Sequence, residues 1–135
     1  MFYFSYINNK KILKSDLLDS VEHFFTTRET CIKSKKPDYE KIVFENKKDI
    51  CEYLNISPQN LITPSQTHTA NIAIAHSGQN NYPDTDGLIT TESDIAIFLN
   101  FADCTPIIFY DKKQNIGAVS HAGWRGTAQK IAALT

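Results

Sequence analysis

Residues 95–101, Ile-Ala-Ile-Phe-Leu-Asn-Phe, form a short and nearly continuous apolar run. Such a run fits a strand buried on both faces, so the chain must supply covering layers on either side of it. The surrounding residues supply candidates. Segments 61–69, 71–76, 87–90, 105–110 and 116–120 read as strands, with 111–115 as a hairpin-type connection and 78–85 as a polar loop. Upstream, Phe2, Phe4 and Tyr6 alternate as in a strand, and Asn8-Asn9-Lys10-Lys11 reads as a turn. Ser15 is placed to cap a helix through Phe24, with Leu17, Leu18, Val21 and Phe25 as its apolar stripe. Residues 26–40 read as loop and 41–44 as a strand. Asn46 is placed to cap a helix over 47–54 that buries Ile50, Cys51 and Leu54, and Ser57-Pro58 ends it. Thr127 is placed to cap a last helix over 128–134.

The pattern shows no internal repeat, low-complexity tract or linker, and 135 residues suit one domain, 1–135. The chain stops two turns into an amphipathic helix, which predicts that this domain is incomplete at its C-terminal side. Hydrophobic residues at 41% and charged residues at 21% are values of a packed globular chain. A net charge of −1 with mixed signs gives no attraction to nucleic acid or anionic lipid. The densest positive stretch, Lys33-Ser34-Lys35-Lys36, reads as a solvated loop. No apolar run approaches the roughly 20 residues that span a bilayer. The start lacks the basic region and cleavage site of a signal peptide. Three cysteines, an odd number, argue against a disulfide framework and for a reducing, cytoplasmic setting.

Three segments carry residue types suited to chemistry: Ser65-Gln66-Thr67-His68, Asn100-Phe101-Ala102-Asp103-Cys104-Thr105-Pro106, and Ser120-His121-Ala122-Gly123-Trp124-Arg125-Gly126-Thr127. Each puts a soft or borderline ligand at the edge of a predicted strand, where a rigid sheet can hold converging side chains. Two imidazoles and one thiolate make three zinc ligands and leave a fourth tetrahedral position open, the pattern of a catalytic site. The same residues allow a second use, in which a histidine activates Cys104 as a nucleophile. The plain alternative makes Cys104 a small buried apolar residue and both histidines structural.

Gly123, Gly126 and the helix after Thr127 suggest an anion site of backbone N–H groups, to which Arg125 adds bidentate contacts to phosphate. A simple helix entry with an exposed arginine is the alternative. Asp84 and Asp86 read as turn chemistry, with metal binding as the alternative. Cys51 reads as core, Trp124 as either a stacking platform or a cover for the core, and His23, His76 and Cys31 lack a supporting pattern.

These segments resemble the YfiH-like, or laccase-domain, family, also described as polyphenol oxidase family proteins and purine nucleoside phosphorylases. The matching pieces are Gln66-Thr67-His68, Asp86-Gly87-Leu88-Ile89-Thr90, Ala102-Asp103-Cys104-Thr105-Pro106 and His121-Ala122-Gly123-Trp124-Arg125-Gly126-Thr127. Their order and spacing also resemble the family's. The resemblance implies an α+β fold of mixed β-sheet layers flanked by helices, and a catalytic zinc on His68, Cys104 and His121. It implies phosphorolysis of adenosine, inosine, guanosine and methylthioadenosine, with some adenosine deamination. Purine nucleosides and phosphate are then the small-molecule partners, with Arg125 as a substrate contact. Arg28 is the other substrate-contact candidate, but Thr27-Arg28 lacks the Gly-Gly pair that usually follows it in the family. The resemblance covers nearly all of this chain but only the front part of the family domain.

Other functions compete. A copper-dependent phenol oxidase of the multicopper kind needs many histidines, and the chain has 4; a single site of this kind still accepts copper. A catalytically inactive remnant or binding module is the non-enzymatic reading. The His-x-Glu and Pro-Cys-x-x-Cys signature of nucleic-acid deaminases is absent.

Overall fold

A computed structural model describes residues 1–34 and 36–135. Lys35, within the positive stretch read as a solvated loop, lies outside the described residues. The chain divides into two compact units, Met1–Pro58 and Gln59–Thr135.

The first unit is built on a hairpin. Strands β1 (Phe2–Ile7) and β2 (Lys10–Ser15) pair antiparallel, from Phe2 opposite Ser15 to Ile7 opposite Lys10. The connecting residues Asn8 and Asn9 both take positive φ, 44° and 63°, the paired left-handed turn whose twist matches that of the strands. Lys10 and Lys11 therefore belong to a strand and not to the turn. A short third strand, β3 (Phe25–Thr26), pairs with β2. The helix expected from Ser15 to Phe24 does not form. Ser15 ends β2, and its hydroxyl caps a single 3-10 turn over Asp16–Leu18 by accepting the Leu17 N–H. The expected stripe does not line up on one face: Phe25 is drawn into β3 opposite Leu13, and Leu17 is 85% exposed.

The strand expected at 41–44 and the short helix at 47–54 are one helix, α1 (Glu40–Leu54), which ends at Asn55 in the left-handed conformation. Asn46 lies inside it and caps nothing. Its side chain is buried, donates to the Cys31 carbonyl at 2.7 Å and accepts from Lys10 Nζ at 2.5 Å. Ile50 and Cys51 are buried as expected. Ile7 and Ile12 share a small cavity lining with Ile50, so the helix covers one face of the hairpin.

The second unit contains a four-stranded mixed sheet in the order β5-β6-β9-β8: β5 (Ile72–Ile74), β6 (Gly87–Thr90), β9 (Ile116–Ala122) and β8 (Thr105–Asp111). Strand β5 runs parallel to β6, and the other pairs are antiparallel. A separate parallel pair joins β4 (Leu61–Ile62) to β7 (Ala96–Ile97). The runs expected as long strands at 61–69 and 95–101 thus keep only two paired residues each. From these runs Ile62, Ile95 and Leu99 serve the core, forming one buried cluster with Ala75, Tyr82 and Leu88.

After β9 the chain forms two short helices, α2 (Trp124–Ala128) and α3 (Ile131–Leu134), separated by Lys130 at φ 62°. Thr127 lies within α2 and does not cap a later helix; its N–H donates to the Gly123 carbonyl. Ile131 is fully buried and anchors α3. The fold is mixed α+β, and no buried side-chain nitrogen or oxygen lacks a partner among the described residues.

Candidate metal centre

Three different elements of the second unit bring His68, Cys104 and His121 together. His68 sits in the irregular segment between β4 and β5, Cys104 in the bend before β8, and His121 near the end of β9. Their ligand atoms all lie within 4.8 Å of one another. The histidine rings meet edge to face, with centroids 4.8 Å apart, and Phe101 lies 5.5 Å from the His121 ring. His121 is buried, Cys104 half-buried and His68 exposed, so the group opens to the surface on one side.

The segment holding His68 has no sheet ladder of its own, and its backbone donors need acceptors. Asp86 supplies them. Its carboxylate accepts the N–H groups of Thr67 at 3.1 Å, His68 at 3.1 Å and Thr69 at 2.8 Å, and the Thr69 hydroxyl at 3.0 Å. His68 is held at φ 66°, a conformation uncommon outside glycine. The β6–β9 register, with Gly87 opposite Ser120, carries on to place Asp86 beside His121. The Asp86 carbonyl accepts the His121 N–H at 2.7 Å, and its carboxylate accepts from His121 Nδ1 at 2.7 Å. Burial pushes the Asp86 carboxyl up, but the Thr69, His121 and Thr67 hydrogen bonds outweigh it and hold the group below its ordinary value.

Burial pushes the Cys104 thiol up, and the charges of Asp103 and Asp86 push it the same way. Both metal ligation and nucleophilic attack need the thiolate, so this shift does not separate the two uses. The donor set, two imidazoles and a thiol, fits a metal ion. With Nδ1 of His121 engaged by Asp86, Nε2 is the free ring nitrogen. Tetrahedral zinc with ligands at about 2.0–2.3 Å needs the donors only about 1 Å closer than their widest present separation. Among the described residues the group has three members, one fewer than tetrahedral zinc takes.

Gly123 and Gly126 matter here for space. A Cβ on Gly123 would lie 3.2 Å from both Cys104 Sγ and His68 Cδ2, and one on Gly126 would lie 2.8 Å from the Thr69 carbonyl oxygen. The sequence marked these glycines as an anion-binding turn; their packing role shows only once the three segments meet. Asp86 was likewise read as turn chemistry, because Asp-Gly before a strand ordinarily is. Neither Asp84 nor Asp86 joins the ligand group. Asp84 is exposed and binds the Thr67 hydroxyl and Asn71.

Arg125 lies on α2, exposed, with its guanidinium 4.6 Å from the centre of the Trp124 ring. Trp124 is 74% exposed, so it does not cover the core. Arg28 occupies an exposed turn after β3 in the first unit. His23 accepts the Ser15 N–H, His76 pairs with Glu92, and Cys51 is buried in α1.

The fold and the site define an α+β chain with a His/Cys/His group able to hold a metal. The family model described as "Multi-copper polyphenol oxidoreductase laccase" matches residues 22–135, and the chain belongs to that family. It is 31% identical, over 94% of its length, to a purine nucleoside phosphorylase of Bacteroides thetaiotaomicron, covering 55% of that protein. It is 36% identical over 58% of its length to adenosine deaminase RL5 from an unknown prokaryotic organism, covering 34% of it. The crystal structure of the Bacillus licheniformis hypothetical protein YfiH superposes with a TM-score of 0.66 at 33% identity, over 70% of this chain and 39% of that one. The chain thus spans between about a third and just over half of these relatives' lengths. Among the described residues no helix is long and apolar enough to cross a membrane.

Proposed function

We propose that this chain carries the zinc site of a purine nucleoside phosphorylase acting on adenosine, inosine, guanosine and methylthioadenosine, with adenosine deamination as a side activity. The observation that carries the proposal is the convergence of His68, Cys104 and His121, three zinc-type donors drawn from three separate segments. The names of the relatives, a purine nucleoside phosphorylase and an adenosine deaminase, support the substrate class.

His68, Cys104 and His121 are the catalytic residues of this reading and would hold the zinc. Bound there, zinc supplies a Lewis acid that polarises a substrate atom or activates water. Arg125 is the phosphate contact: its exposed guanidinium offers two parallel donors to an oxyanion. The α2 helix is only five residues long, so the arginine and not the helix end carries this role. Arg28 keeps a substrate role only on the strength of the family resemblance. The same donors accept copper, but of the 4 histidines His23 and His76 are engaged elsewhere, which leaves one mononuclear site and not a multicopper centre. All three cysteines are free, in keeping with a reducing, cytoplasmic setting.

The test is turnover by the purified, zinc-loaded chain. Free base should appear from adenosine or inosine only when inorganic phosphate is present. Cys104→Ala should abolish turnover, and Arg125→Ala should mainly raise the phosphate KM. Base release that proceeds equally well without phosphate would replace phosphorolysis by hydrolysis. Absence of turnover on all four nucleosides by zinc-loaded protein would overturn the enzymatic reading in favour of an inactive or binding module. Copper-dependent oxygen consumption with phenols would favour the oxidase.

A further inference from the structure

One side chain stands behind the candidate centre without belonging to its ligand group. Asp86 is 0% exposed and takes five hydrogen bonds on two oxygens. Oδ1 accepts His121 Nδ1–H at 2.7 Å and the His68 N–H at 3.1 Å. Oδ2 accepts the Thr67 N–H at 3.1 Å, the Thr69 N–H at 2.8 Å and the Thr69 hydroxyl at 3.0 Å. One histidine is thus tied to the carboxylate through its ring, and the other through its backbone.

We propose that Asp86 is a positioning residue for the metal centre: it fixes His121 with the proton on Nδ1, so that Nε2 is the ligating atom, and pins the Thr67–Thr69 backbone that carries His68. The inference rests on the zinc reading above. Every donor aimed at Asp86 requires an acceptor, and an ionised carboxylate is acceptor-only at both oxygens. An amide cannot replace it. In Asp86→Asn, either orientation of the side-chain amide turns an NH2 group toward donors, those of His121 and His68 or those of Thr67 and Thr69. The first orientation frees the ring tautomer, and the second releases the backbone that holds His68 at φ 66°. Partners that orient a metal-bound imidazole typically change metal affinity about 10- to 100-fold when removed. The nearby Asp84 provides the contrast, because it is exposed and touches neither ring.

The experiment compares the full chain with Asp86→Asn by zinc titration against a chromophoric chelator and by the visible spectrum of the cobalt(II) form. It adds 15N NMR of the histidine rings of the unsubstituted protein at pH about 8, where the tautomer is read directly. The unsubstituted chain should bind one zinc per molecule, with His121 in the Nδ1–H form before and after zinc. Asp86→Asn should bind zinc about 10- to 100-fold more weakly and shift the cobalt ligand-field bands. A folded Asp86→Asn with unchanged affinity and an unchanged cobalt spectrum would overturn the positioning role and leave the zinc reading intact. A proton on Nε2 of His121 in the unsubstituted protein would overturn it too, whether or not the variant folds. Failure of the unsubstituted chain to bind zinc or cobalt would overturn the zinc reading itself, and this inference with it.

Discussion

Substituting Gly123 with alanine probes the crowding at the centre. Gly123 has φ −71° and ψ 173°, an extended backbone that alanine adopts without strain. The cost therefore comes from space and from the helix end. The new Cβ would lie 3.2 Å from Cys104 Sγ and 3.2 Å from His68 Cδ2, where ordinary contacts begin at 3.4 Å. Both proposed ligands must yield by a few tenths of an ångström, away from Gly123. Metal–ligand distances tolerate only about ±0.2 Å. Zinc affinity should fall by about tenfold, which is about 1.4 kcal/mol. Loss of glycine at the first position before α2 adds roughly 0.5–1 kcal/mol of lost stability, because alanine is a poor N-cap. The assay is zinc competition titration alongside thermal unfolding of the metal-free protein. Gly123→Ala that unfolds like the unsubstituted chain and binds zinc equally well would refute the claim that this contact sets the ligand geometry.

Leu88 is fully buried in the core of the second unit, and Leu88→Ala should cost about 2–5 kcal/mol in a denaturant titration; a cost under about 1 kcal/mol would mean that the cluster is not the unit's core. Stability should also fall on the acid side. The hydrogen bond from His76 and the Ser77 N–H hold the Glu92 carboxyl below its ordinary value, and Asp86 is lowered as well. Such groups stabilise the folded chain in full above the unfolded carboxyl value of about 4, and that contribution disappears as pH falls through the lower folded value. Glu92→Gln should therefore lose less stability than the unsubstituted chain between pH about 5 and 2, and an equal loss would remove Glu92 from the explanation.

Strands β6, β8 and β9 were legible in the sequence because their apolar patterns end at clear turn residues. Only the second half of helix α1 was legible, because Asn46 has the chemistry of a cap and so hid the first turns. Its actual partners, Lys10 and the Cys31 carbonyl, lie far away in the chain. Strand β2 was hidden for a related reason: Lys10 and Lys11 look like turn residues until Asn8 and Asn9 alone close the hairpin. The three candidate ligands were legible as residue types in matching segments, but not as neighbours, since Cys104 comes 36 positions after His68. Asp86 was the least legible. Its role depends on the β6–β9 register and on a segment without a ladder, and neither can be seen in a local Asp-Gly pair.

The central claim is that His68, Cys104 and His121 together hold one metal ion, and metal content tests it most directly. The purified chain, stripped with chelator and then re-loaded with zinc and desalted, should retain about one zinc per molecule by elemental analysis, with three protein ligands. His68→Ala, Cys104→Ala and His121→Ala should each lose that zinc while remaining folded by circular dichroism. Retention of zinc by any one of the three folded variants at the level of the unsubstituted chain would contradict the claim.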